Sequence, residues 1–119
     1  MNKLILRSLL LTMCNNNTPN DLENFYEEIY IFIEEEGTEG YALFKLYILS
    51  CKRLEKYEEH SDEAGMYLRF TLIMKYYDVN IIRKHIQQIL DHCNLESPEK
   101  RYNYLSYYLR DEDEEDVYY

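Results

Sequence analysis

Leu22-Glu23-Asn24-Phe25-Tyr26-Glu27-Glu28-Ile29-Tyr30-Ile31-Phe32-Ile33-Glu34-Glu35 is the stretch on which the fold turns. Leu22, Phe25, Ile29, Phe32 and Ile33 stand at i, i+3, i+7, i+10 and i+11, the spacing of one apolar stripe along a helix. Its flanks agree. Thr18-Pro19 offers an N-cap followed by a first-turn proline, and Gly37 offers a stop. The runs Ile29–Ile33 and Tyr67–Met74 are ambiguous on propensity alone. No segment sustains a strict apolar–polar alternation, so the flanks decide for helix and no sheet is expected.

Working outward, the same devices recur. Gly40 opens a second helix over about 40–58, and Ser61 caps a third over about 62–77; both are apolar nearly all round, at Leu43–Cys51 and Met66–Met74. Asp78 can cap the next helix, where Val79, Ile82, Ile86, Ile89, Leu90 and Cys93 repeat the helical spacing. Ser97-Pro98 then repeats the helix-start device of Thr18-Pro19. With three Gly and two Pro in 119 residues, turn formers are scarce and long helices with short connections follow. The expected fold is all-α: a compact single-domain bundle of five to six helices over residues 1–110. Residues 111–119 form an acidic tail, disordered because six like charges cannot pack together.

Charge is the second strong signal. The formal net charge is −10, and its excess sits in two places. Residues 15–40 hold eight Asp/Glu with no Lys or Arg, and 111–119 opens on six consecutive acids. A surface polarised this way attracts cationic partners and repels nucleic acid and anionic membranes. Basic residues occur only in short groups such as Lys52-Arg53 and Arg83-Lys84, with no interleaved stripe for nucleic acid.

Several chemistries lack their residues. Cys14, Cys51 and Cys93 are widely spaced and odd in number, which argues for buried reduced thiols rather than a disulfide framework or a zinc site. No phosphate-binding Gly loop, nucleophile elbow or His-Glu-x-x-His run exists. His85 and His92 read as boundary histidines of a helix. Hence no cofactor, no metal and no enzymatic activity are expected. At the N-terminus Arg7 leaves only a six-residue run before Cys14, too short for an export signal. No stretch approaches a membrane span, and a cytoplasmic protein is expected.

With the opening stretch read as a helix, Glu23, Glu27, Glu28, Glu34 and Glu35 cover its outer face and Ile31 lies among them. Ile31 is then an apolar anchor ringed by carboxylates, with Tyr30 beside it. Asp111, Glu112, Asp113, Glu114, Glu115 and Asp116 extend the acidic surface. These are the expected partner-binding residues. No motif assigns the chain to a family. In size and acidity it resembles the small acidic proteins that neutralise nucleases, namely bacterial immunity proteins and phage DNA-mimic inhibitors. That resemblance implies a non-enzymatic inhibitor of a basic, nucleic-acid-acting enzyme such as a nuclease toxin. Two alternatives stay open: a viral Bcl-2-like helical modulator using an apolar groove, and a fragment of a TPR-like scaffold. Fourteen tyrosines, several in the last helix, also suit a homo-oligomer.

Overall fold

The three isoleucines of the opening stretch alternate with aromatic residues, and an extended chain sends alternate side chains to opposite faces. The computed structural model describes residues 3–11, 18–60 and 69–111, and in it this stretch is a strand. Five strands and three helices run in the order β1 (Leu4–Leu11), β2 (Tyr26–Glu35), β3 (Ala42–Ser50), α1 (Cys51–His60), β4 (Thr71–Met74), α2 (Val79–Cys93), α3 (Pro98–Tyr108) and β5 (Arg110–Asp111). The all-α bundle is therefore wrong: the chain is a mixed α/β protein built on one five-stranded sheet. The two alternatives that presuppose a helical body fall with it.

The sheet follows the path β1-β2-β3-β4, with β5 also paired to β3. β1, β2 and β3 are antiparallel neighbours. β4 joins β3 in parallel beside Tyr47–Ser50, and β5 pairs antiparallel with Phe44–Lys45. A parallel partner demands a crossover, and α1 lies in the connection between β3 and β4. A bulge between Leu6 and Ser8 shifts the register of β1, so that Leu4, Leu6, Leu9 and Leu11 all meet the same face.

That face is the core. Leu9, Leu11, Ile29, Ile31, Ile33, Phe44, Leu46 and Ile48 from the sheet pack with Ile82, Ile86, Ile89, Leu90 and Cys93 of α2 and with Leu105 of α3. Each fully buried side chain of this size contributes about 1.5–3 kcal/mol through burial. Asn94, just after α2, ties the helix to the sheet. Its Oδ1 accepts from Leu4 N–H at 2.8 Å and its Nδ2 donates to Leu4 C=O at 3.2 Å.

The signals read as helix ends serve other structures. Near Thr18-Pro19, Asp21 Oδ1 accepts from the backbone N–H of Glu23 and Asn24, an Asx turn that leads into β2. Gly37, at φ +85°, lies in the β2–β3 hairpin, where Thr38 N–H donates to Glu35 C=O at 3.1 Å. The expected second helix is cut at Ser50, where β3 gives way to α1. Part of the expected third lies outside the described residues, and Thr71–Met74 of it is β4. Two helices stand as expected. Asp78 caps α2 by accepting from Asn80 N–H at 2.9 Å, and Pro98 opens α3.

Candidate functional site

Alternation along β2 divides its side chains cleanly. Ile29, Ile31 and Ile33 enter the core, while Tyr26, Glu28, Tyr30, Phe32 and Glu34 lie on the other face. The register adds Ile5, Ser8 and Leu10 from β1 and Leu43, Lys45, Tyr47 and Leu49 from β3 to that face. Thr71 and Ile73 of β4 and Arg110 of β5 complete it. Leu49 is buried yet stands outside the core cluster, as a residue of the opposite face should. Ile5, Leu10, Tyr26 and Ile73 are exposed, and the described helices contribute nothing to the core from this side. Among the described residues the result is a partly exposed sheet face rich in rings, on which two carboxylates, Glu28 and Glu34, stand with two cations, Lys45 and Arg110.

Lys45 is its electrostatic centre. Its side chain is only 12% exposed, and its Nζ lies 3.7 Å from Glu28 Oε2. The same ammonium stands 5.5 Å from the Tyr30 ring centre and 5.9 Å from that of Tyr47. Ring faces and a carboxylate thus offset the desolvation of a nearly buried cation. Arg110 Nη1 donates to the Tyr47 hydroxyl at 3.3 Å. Tyr26 and Tyr47 contact at 6.0 Å with their planes 52° apart, and with Glu27 and Glu28 they line a cavity of about 360 Å³. At the other end Phe32 meets Tyr41 edge-on at 5.0 Å, and the Arg7 guanidinium lies 5.2 Å from the Tyr41 ring centre.

The expected partner-binding residues are distributed unevenly over this geometry. Glu28, Tyr30 and Glu34 share the open face. Glu27 joins them at the cavity. Glu23 is in the loop before β2, its carboxylate 3.5 Å from Lys52 Nζ with both side chains exposed, and pairs of that kind are worth little. Glu35 falls on the core side of the alternation, opposite Leu4 at the strand's end. Asp111 stands opposite Phe44 in β5. Glu112, Asp113, Glu114, Glu115 and Asp116 lie outside the described residues. Ile31 must be corrected: it is wholly buried in the core and is no exposed anchor, because a two-residue period points it inward where a helical period pointed it out. The missed residues are Tyr26, Phe32, Lys45 and Tyr47. The signal for Tyr26 and Phe32 was the interleaving of rings and acids at every second position of β2, whereas Lys45 and Tyr47 join from β3 through the register.

A second aromatic group lies between α2 and α3. His92 Nδ1 and the Tyr104 hydroxyl are hydrogen-bonded at 2.6 Å, and Tyr104 contacts Tyr108 at 5.2 Å between ring centres. Desolvation, then the neighbouring Tyr108 hydroxyl, holds the Tyr104 phenol above its usual range. Desolvation lowers the pKa of half-buried His85. On α2, burial pushes the Cys93 thiol up to about 11, against a smaller pull from the Arg101 charge. Cys51 departs from the expected buried thiols, being exposed at the start of α1, and Cys14 lies outside the described residues. Among the described residues no three His, Cys, Asp or Glu side chains gather as a metal site, and no helix is long and apolar enough to cross a membrane.

Fold and site together define an α/β protein with α2 and α3 on one sheet face and aromatic rings among charged side chains on the other. A family model gives that class its identity: the model described as immunity protein 8 matches residues 4–116, and the chain belongs to that family. No curated protein and no solved structure matches it.

Proposed function

We propose that this immunity-type protein neutralises its toxin by docking the open face of the sheet against it. Family membership supports the binding of a toxin. The observation that carries the surface is the alternation of β2, which aligns Tyr26, Glu28, Tyr30, Phe32 and Glu34 on the face away from the α2–α3 core. Rings with carboxylates at their margins suit a protein interface, the rings giving affinity and the charges giving steering and selectivity. The net charge of −10 favours a basic toxin, and a nuclease fits because its substrate-binding surface is itself cationic. Bound there, the rings with Glu28 and Glu34 at their margins would occupy the ground on which the toxin holds phosphates.

The test is calorimetric titration of the cognate toxin with wild type and with the double variant Glu28→Lys/Glu34→Lys. Losing close interfacial charge pairs costs about 2–5 kcal/mol, so affinity should fall by at least about thirtyfold, and the wild-type Kd should weaken steeply with added salt. Thermal unfolding of the variant checks that the sheet is intact. Unchanged affinity in a folded variant would reject the open face as the docking surface.

A further inference from the structure

We propose that the outer face of α3 pairs two copies of this chain about a twofold axis, with the helices antiparallel and Tyr107 of each copy set against Glu96 of the other. α3 turns Arg101 and Leu105 into the protein and Tyr102, Tyr107 and Tyr108 outward. Lys100, Asn103 and Tyr107 stand at i, i+3 and i+7, which is one stripe along a helix, and all three are exposed. Glu96, exposed just ahead of the helix, continues the stripe. With Tyr104 and Tyr108 these four line a cavity of about 560 Å³. Tyr104 and Tyr107 both contact the Tyr108 ring, at 5.2 and 5.3 Å between centres, so the rings support one another.

The intervals from Glu96 through Lys100 and Asn103 to Tyr107 are four, three and four residues, the same read from either end. Antiparallel pairing therefore sets Glu96 opposite Tyr107 and Lys100 opposite Asn103 of the second copy, each twice. Both pairings join a donor to an acceptor: a phenol O–H donates to a carboxylate, and an ammonium donates to an amide carbonyl. Glu96 and Lys100 form no ion pair with any described residue. Such self-complementarity is what a twofold contact between copies requires, and tyrosine is enriched in contacts of this kind.

Charge selects a second copy as the occupant. Two chains of net charge −10 repel each other, so they meet with least opposition where the local charge is small. Over residues 79–108 four cations, Arg83, Lys84, Lys100 and Arg101, accompany three carboxylates, Asp91, Glu96 and Glu99, a net of +1. That surface gives a basic toxin no attraction. It lies on the α2–α3 side, away from the sheet face proposed for the toxin, and rests on none of that reading.

Sedimentation velocity of the whole chain over a concentration series reads the monomer–dimer equilibrium, with reductant present because Cys51 is exposed. A dimer should form below about 1 mM, and it should tighten as salt rises because salt screens the repulsion between two acidic bodies. Tyr107→Ala should weaken it by about tenfold or more. Asn103→Asp, which sets a carboxylate opposite Lys100, should tighten it by about tenfold, and Asn103→Lys should weaken it as much. Thermal unfolding checks that these substitutions at exposed positions leave the fold intact. In a mixture of labelled and unlabelled chains, isotope-filtered NOEs should join the Tyr107 ring of one copy to the Glu96 side chain of the other. A chain that stays monomeric to about 1 mM, or a dimer that Tyr107→Ala leaves unchanged, overturns the pairing. So does a dimer in which Asn103→Asp and Asn103→Lys act alike, or one whose filtered NOEs join Tyr107 only to Tyr107.

Discussion

Ser50 occupies the point where β3 becomes α1, and its hydroxyl joins three elements. Oγ accepts from the N–H of Phe25 at 3.0 Å and from that of Arg53 at 3.2 Å, while Ser50 N–H donates to Phe25 C=O. The Arg53 bond is the N-cap interaction of α1; the Phe25 bond fastens the entry of β2. Ser50→Ala leaves both donors without that acceptor in a fully buried place, which should cost about 2 kcal/mol in chemical denaturation. Cys93 gives a residue-scale prediction with a pH sign. Its thiol is raised from 9.0 to about 11 by burial, so folding favours the protonated form. The resulting stability is whole below pH 9 and is lost as pH rises towards 11, because the unfolded chain ionises first. The loss should reach about 2–3 kcal/mol. In Cys93→Ala this part of the alkaline slope should vanish, a difference that urea titrations at pH 8.5 and 10.5 would reveal.

At the scale of elements, β2 decides between the two folds the sequence permits. Leu22, Phe25, Ile29, Phe32 and Ile33 satisfy a helical period, yet Ile29, Ile31 and Ile33 satisfy a strand period equally well. Phe32 belongs to the helical stripe and Ile31 to the strand's, so these two residues separate the readings. Aromatic residues obscured the alternation, because Tyr30 and Phe32 count as apolar while facing outward. Ile31→Ala should therefore cost about 2–5 kcal/mol as a core truncation, whereas Tyr30→Ala should cost about 1–2 kcal/mol, chiefly the loss of its ring from Lys45. The reverse order would restore the helical period. What could be read correctly was the pair α2 and α3, since Ile82, Ile86, Ile89, Leu90 and Cys93 fall at helical spacing with polar residues between them and Asp78 and Pro98 mark the starts. Glycine misled at the hairpin. A positive φ at Gly37 serves a turn between strands as readily as a helix end. The candidate site was half readable for the same reason. Glu28, Tyr30 and Glu34 were found by charge and residue type, but only the strand period could separate them from Ile31 and Glu35 and bring in Lys45 and Tyr47 from the next strand.

For the whole molecule, the division of labour between charge and rings predicts kinetics. On the proposed docking, a chain of net charge −10 would meet a basic toxin through long-range attraction, which acts on the encounter before any contact forms and is screened within about 8–10 Å at ordinary salt. Glu34 lies near the hairpin tip with Glu35, Glu36 and Glu39, where charge is densest, so Glu34→Gln should slow association and flatten its salt dependence with little change in dissociation. Phe32 stands on the open face in edge contact with Tyr41 and carries no charge. Phe32→Ala should leave association within about twofold and speed dissociation by tenfold or more, since interface mutations of apolar anchors act chiefly on the off-rate. Surface-plasmon kinetics of both variants at low and moderate salt separate the effects. If Glu34→Gln changed only dissociation, or Phe32→Ala only association, charge would not be steering the toxin onto this face. The acidity of the chain would then have to be explained without the open sheet.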